Sequence, residues 1–299
     1  MILNDIGHTL EALSALPSLY YPSALILGLL VGSFLNVVIL RTPKMMEQEF
    51  RQECCDFLDV TLKGKGAKHE ARVTLSHPAS TCPHCHTPIK PWHNIPVISY
   101  VLLRGRCAYC GAGIGSRYPL IELASGVLSV LTIALLGLTI PGLVALLLLW
   151  ALIALTMIDI DTQLLPDSIT LPLLWLGLIA NSSGLYTDIH SALWGAVAGY
   201  LSLWSVYWAF KLLTGKEGMG FGDFKLLAAL GAWMGWQALP LIILLSSLVG
   251  AVIGIAGILL LGRDKNIPIP FGPYLAIAGW IAFLWGDDIT GMYLSLYAM

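Results

Sequence analysis

Long apolar runs separated by short polar loops dominate the chain, apart from one extended polar segment near its start. A helix needs about 20 mostly apolar residues to cross the hydrocarbon core of a bilayer. By that ruler, apolar stretches lie near 21–40, 119–138, 140–158, 169–186, 191–213, 224–239, 240–262 and 271–286. The pattern predicts an all-α polytopic membrane protein with about eight transmembrane helices. The fourth and sixth stretches are short or interrupted, by Asn181, Gly231 and Pro240. No basic residue precedes the first stretch and no small-residue cleavage site follows it. It therefore reads as a retained span and not as a removed signal peptide.

Composition agrees. Of 299 residues, 57% are hydrophobic and only 11% are charged, whereas about a quarter of a soluble domain is charged. Disorder is excluded by the same figures, since it needs low hydrophobicity and high charge. A net charge of −2 leaves no basic excess to neutralise phosphates, so no nucleic-acid partner is expected. Residues 41–118 hold 11 of the 16 Lys and Arg and 6 of the 18 Asp and Glu. Basic residues collect on the cytoplasmic side of a membrane. With the amino terminus outside, the 41–118 segment, the 211–225 loop (Lys211, Lys216, Lys225) and the 262–270 loop (Arg263, Lys265) all face the cytoplasm, and together they hold all 16. Three parts are expected: a periplasmic amino terminus and first span (1–40), a cytoplasmic domain (41–118) and a transmembrane region of about seven spans (119–299). The carboxyl terminus then falls in the periplasm, and membrane lipid is the immediate partner.

Within the polar segment, Cys82-Pro83-His84-Cys85 and Cys107-Ala108-Tyr109-Cys110 form two CxxC knuckles. Two such pairs at this separation are the sequence form of a four-thiolate zinc site. Thiols stay reduced in the cytoplasm, which favours a metal over disulfides or a redox pair. A closed set of four ligands leaves no position for water, so the expected zinc is structural. His84 and His86 are near enough to compete as ligands, but the thiolates complete the set. Gly111-Ala112-Gly113-Ile114-Gly115 superficially resembles a nucleotide-binding turn, yet no strand precedes it. It reads as a glycine-rich exit from the second knuckle. Cys54 and Cys55 read as ordinary residues.

Ionisable groups in or beside spans are costly and are functional candidates by default. Here they are Glu122, Asp159, Asp161, Asp167 and Asp223. Asp159 follows a long apolar run directly. Asp223 ends Gly220-Phe221-Gly222-Asp223 just before another, where flanking glycines allow close backbone approach or positive φ. Each acid also has a plain reading: Asp223 as a helix cap favoured by the dipole, Asp167 as a turn residue after Pro166, Asp161 as a solvated neighbour. Two carboxylates that meet across helices can share a proton, one acting as base towards water while the other polarises a carbonyl. A transporter or proton relay would use the same acids but needs polar residues deep in several spans, and few occur. Metalloprotease and serine-hydrolase signatures are missing.

The ordered motifs GSFLNVVILRTP (32–43), the double CxxC, YPLIELASG (118–126), MIDIDTQLLPD (157–167), GMGFGDFKLLAALGAW (218–233) and PIPFGPYLAIAGW (268–280) carry a resemblance. The chain resembles the prepilin peptidases, GxGD-type intramembrane aspartyl proteases of type IV pilus and type II secretion systems. The resemblance implies that Asp159 and Asp223 are the catalytic pair, with Gly220, Gly222 and Lys225 in support. It implies a bacterial inner-membrane enzyme that cuts the basic leader of prepilins and pseudopilins on the cytoplasmic side, after a glycine that precedes a hydrophobic residue, often Phe. It also implies methylation of the new α-amine with S-adenosylmethionine, by residues that no motif marks. Lys225 is expected either to fix the charge of Asp223 or to snorkel to the membrane surface. The Pro268–Pro273 stretch cannot be regular helix; it suits either an extended substrate-holding strand or a tight helix start.

Overall fold

A computed structural model describes residues 16–58, 72–216, 218–262 and 269–297. Arg263, Lys265 and Pro268, and the expected periplasmic residues 1–15, lie outside the described residues. Regular structure among the described residues is helical, with two isolated bridges and no extended sheet. The long helices are α1 (Pro17–Phe57), α3 (Arg117–Leu136), α4 (Ile140–Thr162), α5 (Asp167–Ser182), α6 (Ile189–Thr214), α7 (Phe221–Met234), α8 (Leu239–Leu261) and α9 (Gly272–Tyr297), with a short α2 (Ile98–Leu102). Each of the eight apolar stretches falls on a long helix. Four segments are long and apolar enough to cross a membrane by length and composition: Pro17–Phe57, Arg117–Leu136, Ile140–Thr162 and Trp236–Leu260. The stretches interrupted in the sequence yield the short helices, α5 with 16 residues and α7 with 14.

The chain divides into two compact units, Met1–Thr139 and Ile140–Met299. In the first, α1 runs for 41 residues, straight through the expected boundary at residue 40. Residues 44–57 are mostly good helix formers, and Arg51 pairs with Glu47 one turn back at 2.6 Å, so the helix carries on past Pro43 at the end of its apolar run. α1 packs on α3 through Gly28 and Gly32, spaced as in GxxxG pairs. A Cβ on Gly28 would lie 2.8 Å from the Gly126 backbone, and one on Gly32 would lie 2.7 Å from that of Glu122. Ser125 closes the seam by donating to the Gly28 carbonyl at 2.7 Å. This seam groups the second apolar stretch with the first, whereas the sequence pattern alone placed it with the later spans. Beyond α1, Arg41 donates to the carbonyls of Thr74 (2.9 Å), Leu75 (3.3 Å) and Pro78 (2.6 Å), laying that segment against the helix.

In the second unit, α7 is the hub. Ten of its 14 residues are buried, and it packs against α5, α6 and α9. A second GxxxG pair, Gly195 and Gly199 of α6, makes the closest approach. Gly195 and Gly231 stand backbone to backbone, and a Cβ on either would collide with the other's carbonyl. Asn181 at the end of α5 secures the far end of α7. Its amide donates to the carbonyls of Ala232 (2.8 Å) and Trp233 (2.9 Å), and its oxygen accepts from the N–H groups of Tyr186 and Thr187. The hydrogen-bonding capacity of this buried amide is thus fully used.

Candidate active site and metal site

Asp159 lies in the last turn of α4, where Leu155 and Ile158 are fully buried. Asp223 is the third residue of α7, after the N-cap Gly220. Both are buried, Asp159 at 4% exposure and Asp223 at 7%, and Asp223 lies within electrostatic reach of Asp159. A third helix completes the site. Gly272, the first residue of α9, donates its N–H to Asp159 Oδ2 at 3.0 Å. The α9 amino terminus thus supplies both a donor and the positive end of a helix dipole.

Leu165 holds the three parts in register. It follows α4 and wedges between two glycines: a Cβ on Gly222 would meet Leu165 Cβ at 2.7 Å, and one on Gly272 would meet Leu165 Cδ1 at 3.2 Å. Next along, Asp167 opens α5 and accepts both 2.7 Å bonds from Lys225 Nζ, two residues after Asp223. The 163–167 connection is therefore pinned to the first turn of α7 at two points.

Several expectations change here. Lys225 pairs with Asp167, at the exposed start of α5, and not with Asp223. Gly220 and Gly222 do not adopt positive φ; Gly222 serves close approach, and at Gly220 a side chain would meet Asp223 only at an ordinary 3.9 Å. The cap reading of Asp223 also holds, since its carboxylate bonds back to the Gly220 backbone in the manner of a capping box. The Pro268–Pro273 stretch ends as a tight helix start, and Gly272 within it is the residue the sequence did not single out. Asp161 is exposed. Glu122 belongs to the first unit, where it accepts from the Val97 N–H at 2.8 Å and from Ser33.

The two CxxC segments fold as copies of one turn. Cys82 N–H donates to the Thr87 carbonyl (3.0 Å) and Cys107 N–H to that of Ala112 (2.8 Å). His86 N–H returns to Cys82 (2.9 Å) and Gly111 N–H to Cys107 (3.0 Å). Ile89 closes on Ser80 (2.8 Å) and Ile114 on Gly105 (2.7 Å). The residue after each second cysteine takes positive φ, +55° at His86 and +69° at Gly111. The four Sγ atoms lie within 4.8 Å of one another and can hold a metal ion. Hydrogen bonds from the hydroxyl and then the N–H of Thr87 lower the Cys85 thiol to about 6, and the N–H groups of Cys110 and Tyr109 lower that of Cys107, whereas burial and the neighbouring sulfurs push Cys110 up to about 11. His84 and His86 are not in the cluster. Gly111 and the residues after it close the second turn, and the space over Gly113 and Gly115 is open.

Comparison with known proteins matches this layout. Residues 26–136 match the Bacterial Peptidase A24 N-terminal domain, and residues 146–255 match the Type IV leader peptidase family. A protein of Stutzerimonas stutzeri named prepilin leader peptidase/N-methyltransferase is 56% identical over 285 residues, covering 95% of this chain and 97% of that one. The chain belongs to the type IV leader peptidase family. Members of the same name from Pseudomonas aeruginosa (56% identity; 96% and 97% covered) and Aeromonas hydrophila (56%; 96% and 98%) are equally similar along nearly their whole length. No solved structure matches. Within the family's two matched segments, the first contains the CxxC turns and the second contains both Asp159 and Asp223.

Proposed function

We propose that this chain removes the basic leader of type IV prepilins and type II secretion pseudopilins and then methylates the exposed amino terminus. The names of full-length family members support both activities. The observation that carries the reading is that two buried carboxylates on separate helices, Asp159 and Asp223, lie within electrostatic reach, with Asp159 bonded to the start of a third helix.

In this reading all eight long helices traverse the bacterial inner membrane, with both termini periplasmic and residues 41–118 cytoplasmic. α7, at about 21 Å, is shorter than the roughly 30 Å hydrocarbon core. That is tolerable because it is enclosed by protein. Its amino end, carrying Asp223, then opens towards the cytoplasm, the side that holds a basic leader.

Asp159 and Asp223 share one proton. The ionised member takes a proton from water as the water oxygen attacks the scissile carbonyl carbon, and the protonated member donates to the carbonyl oxygen. The resulting diol collapses as its C–N bond breaks and the amine nitrogen gains a proton. The products are the leader carboxylate and a pilin with a free α-amine. Gly272 orients Asp159, while Leu165 and the Lys225–Asp167 pair fix the spacing.

Zinc is the ion we assign to Cys82, Cys85, Cys107 and Cys110. With Zn–S near 2.3 Å a regular tetrahedron has edges of about 3.8 Å, and the Cys82 and Cys110 sulfurs stand 3.8 Å apart. It ties the two turns together. S-adenosylmethionine supplies the methyl group when bound. Cleavage precedes methylation, because the accepting amine exists only after the leader has gone.

The test is the purified full chain in lipid vesicles with a synthetic prepilin. Sequencing the product should find a new terminus after the leader's glycine. Intact substrate, or a cut elsewhere, contradicts the reading.

A further inference from the structure

Helix α2 is inside out for a domain in water. Its buried residue is Ser99, whose hydroxyl donates to the Trp92 carbonyl at 3.0 Å. Its exposed residues are Ile98, Val101 and Leu102, the last two at 65% and 77% exposure. Trp92, at 60%, and Ile95 extend the same apolar surface. A cluster of this kind marks a contact surface on a soluble face, and here three further observations identify the contact.

The first is depth. α3 has 20 residues, about 30 Å, so crossing a core of about 30 Å uses its whole length. Glu122 lies five residues in, about 7.5 Å from the start at 1.5 Å per residue. Its carboxylate accepts the Val97 N–H at 2.8 Å, so the residue that begins α2 is held level with the first turns of a membrane span. α1 gives the same level independently. Asn36 donates to the Tyr118 carbonyl at 3.2 Å, and Asn36 lies five residues inside Arg41, the first charge after the apolar run.

The second is orientation. Val97 is a β-branched residue at φ +58°, a conformation such side chains rarely adopt. The Glu122 bond secures this reversal, and α2 leaves it with its apolar side outward.

The third is charge. From Arg72 to Ile121, both included, there are five basic residues and no acidic one. Lys90, Arg104 and Arg106 flank the apolar face and are exposed, and Lys90 Nζ lies 5.4 Å above the Trp92 ring. Aromatic and basic residues together favour the interface of an anionic bilayer.

We propose that residues 92–102 dip into the cytoplasmic surface of the bilayer, with Lys90, Arg104 and Arg106 on anionic lipid headgroups, anchoring the CxxC domain to the membrane. The proposal requires that α1 and α3 cross the bilayer with residues 41–118 on the cytoplasmic side; it is independent of the proteolytic reading.

A photoreactive amino acid placed at Leu102 of the full chain, in vesicles of phosphatidylethanolamine and phosphatidylglycerol, tests it. Phe57, 89% exposed and about 24 Å beyond Arg41 along α1, is the comparison position. Expected are lipid adducts at Leu102 in several-fold excess over Phe57, and a fall when Arg104→Ala and Arg106→Ala are combined or when phosphatidylcholine replaces the anionic lipid. Equal adduct yields at the two positions would overturn the proposal. Crosslinks at Leu102 to a second copy of the chain, or to added prepilin, in place of lipid would overturn it too.

Discussion

The N–H of Gly272 is 3.0 Å from Asp159 Oδ2, and a Cβ on Gly272 would be 2.7 Å from the same oxygen. A bond this direct leaves room for nothing larger than hydrogen. Gly272→Ala should push the carboxylate off its donor. A displacement of about 1 Å at a reacting group can cost about a hundredfold in rate. We therefore expect kcat for prepilin cleavage to fall by about that factor with little change in KM. Steady-state kinetics on the purified variant checks this; a wild-type kcat would show that Gly272 does not position Asp159.

The two glycines before Asp223 should respond differently. Gly222→Ala drives a methyl group into Leu165 Cβ, a backbone-proximal atom that cannot swing away. Gly220→Ala meets only an ordinary contact. Overpacking of the first kind costs about 1–3 kcal/mol. Thermal unfolding should thus show a lower Tm and weaker cleavage for Gly222→Ala, and near-normal behaviour for Gly220→Ala. Equal effects would contradict the wedge role of Leu165.

Zinc at the four thiolates should appear as about one ion per chain in reduced protein. Cys82→Ser removes the most buried ligand. It should lower the metal content and open residues 80–114 to limited proteolysis, because binding energy in such sites is folding energy. The second unit contains both acids, so its protease resistance should survive. Full metal content in Cys82→Ser would refute the assignment.

Much of the fold was legible because each long apolar run demands a helix. The two CxxC segments were legible as ligands, although their identity as a repeat, Cys82 to Ile89 and Cys107 to Ile114, emerges only from matching hydrogen bonds. Which spans face protein was not legible. Ten of the 14 residues of α7 are buried, whereas only 11% of the apolar 18-residue window within Trp236–Leu260 is, yet both read as apolar spans. Lipid and protein interior are equally apolar, so the pattern carries no sign of the difference. Glu122 was legible as a costly acid but not as a tether to Val97. The link from Gly272 to Asp159 spans 113 positions, and its only local trace was a glycine between two residues that resist helix continuation.

The central claim is that Asp159 and Asp223 act as one catalytic pair, and the most direct measurement gives Asp159→Asn and Asp223→Asn two substrates side by side. Intact prepilin reports cleavage. Pre-cut pilin with labelled S-adenosylmethionine reports methylation and shows that each variant is inserted and folded. The account predicts no detectable cleavage by either variant, with methylation of pre-cut pilin preserved in both. Normal cleavage by either one would contradict the pairing.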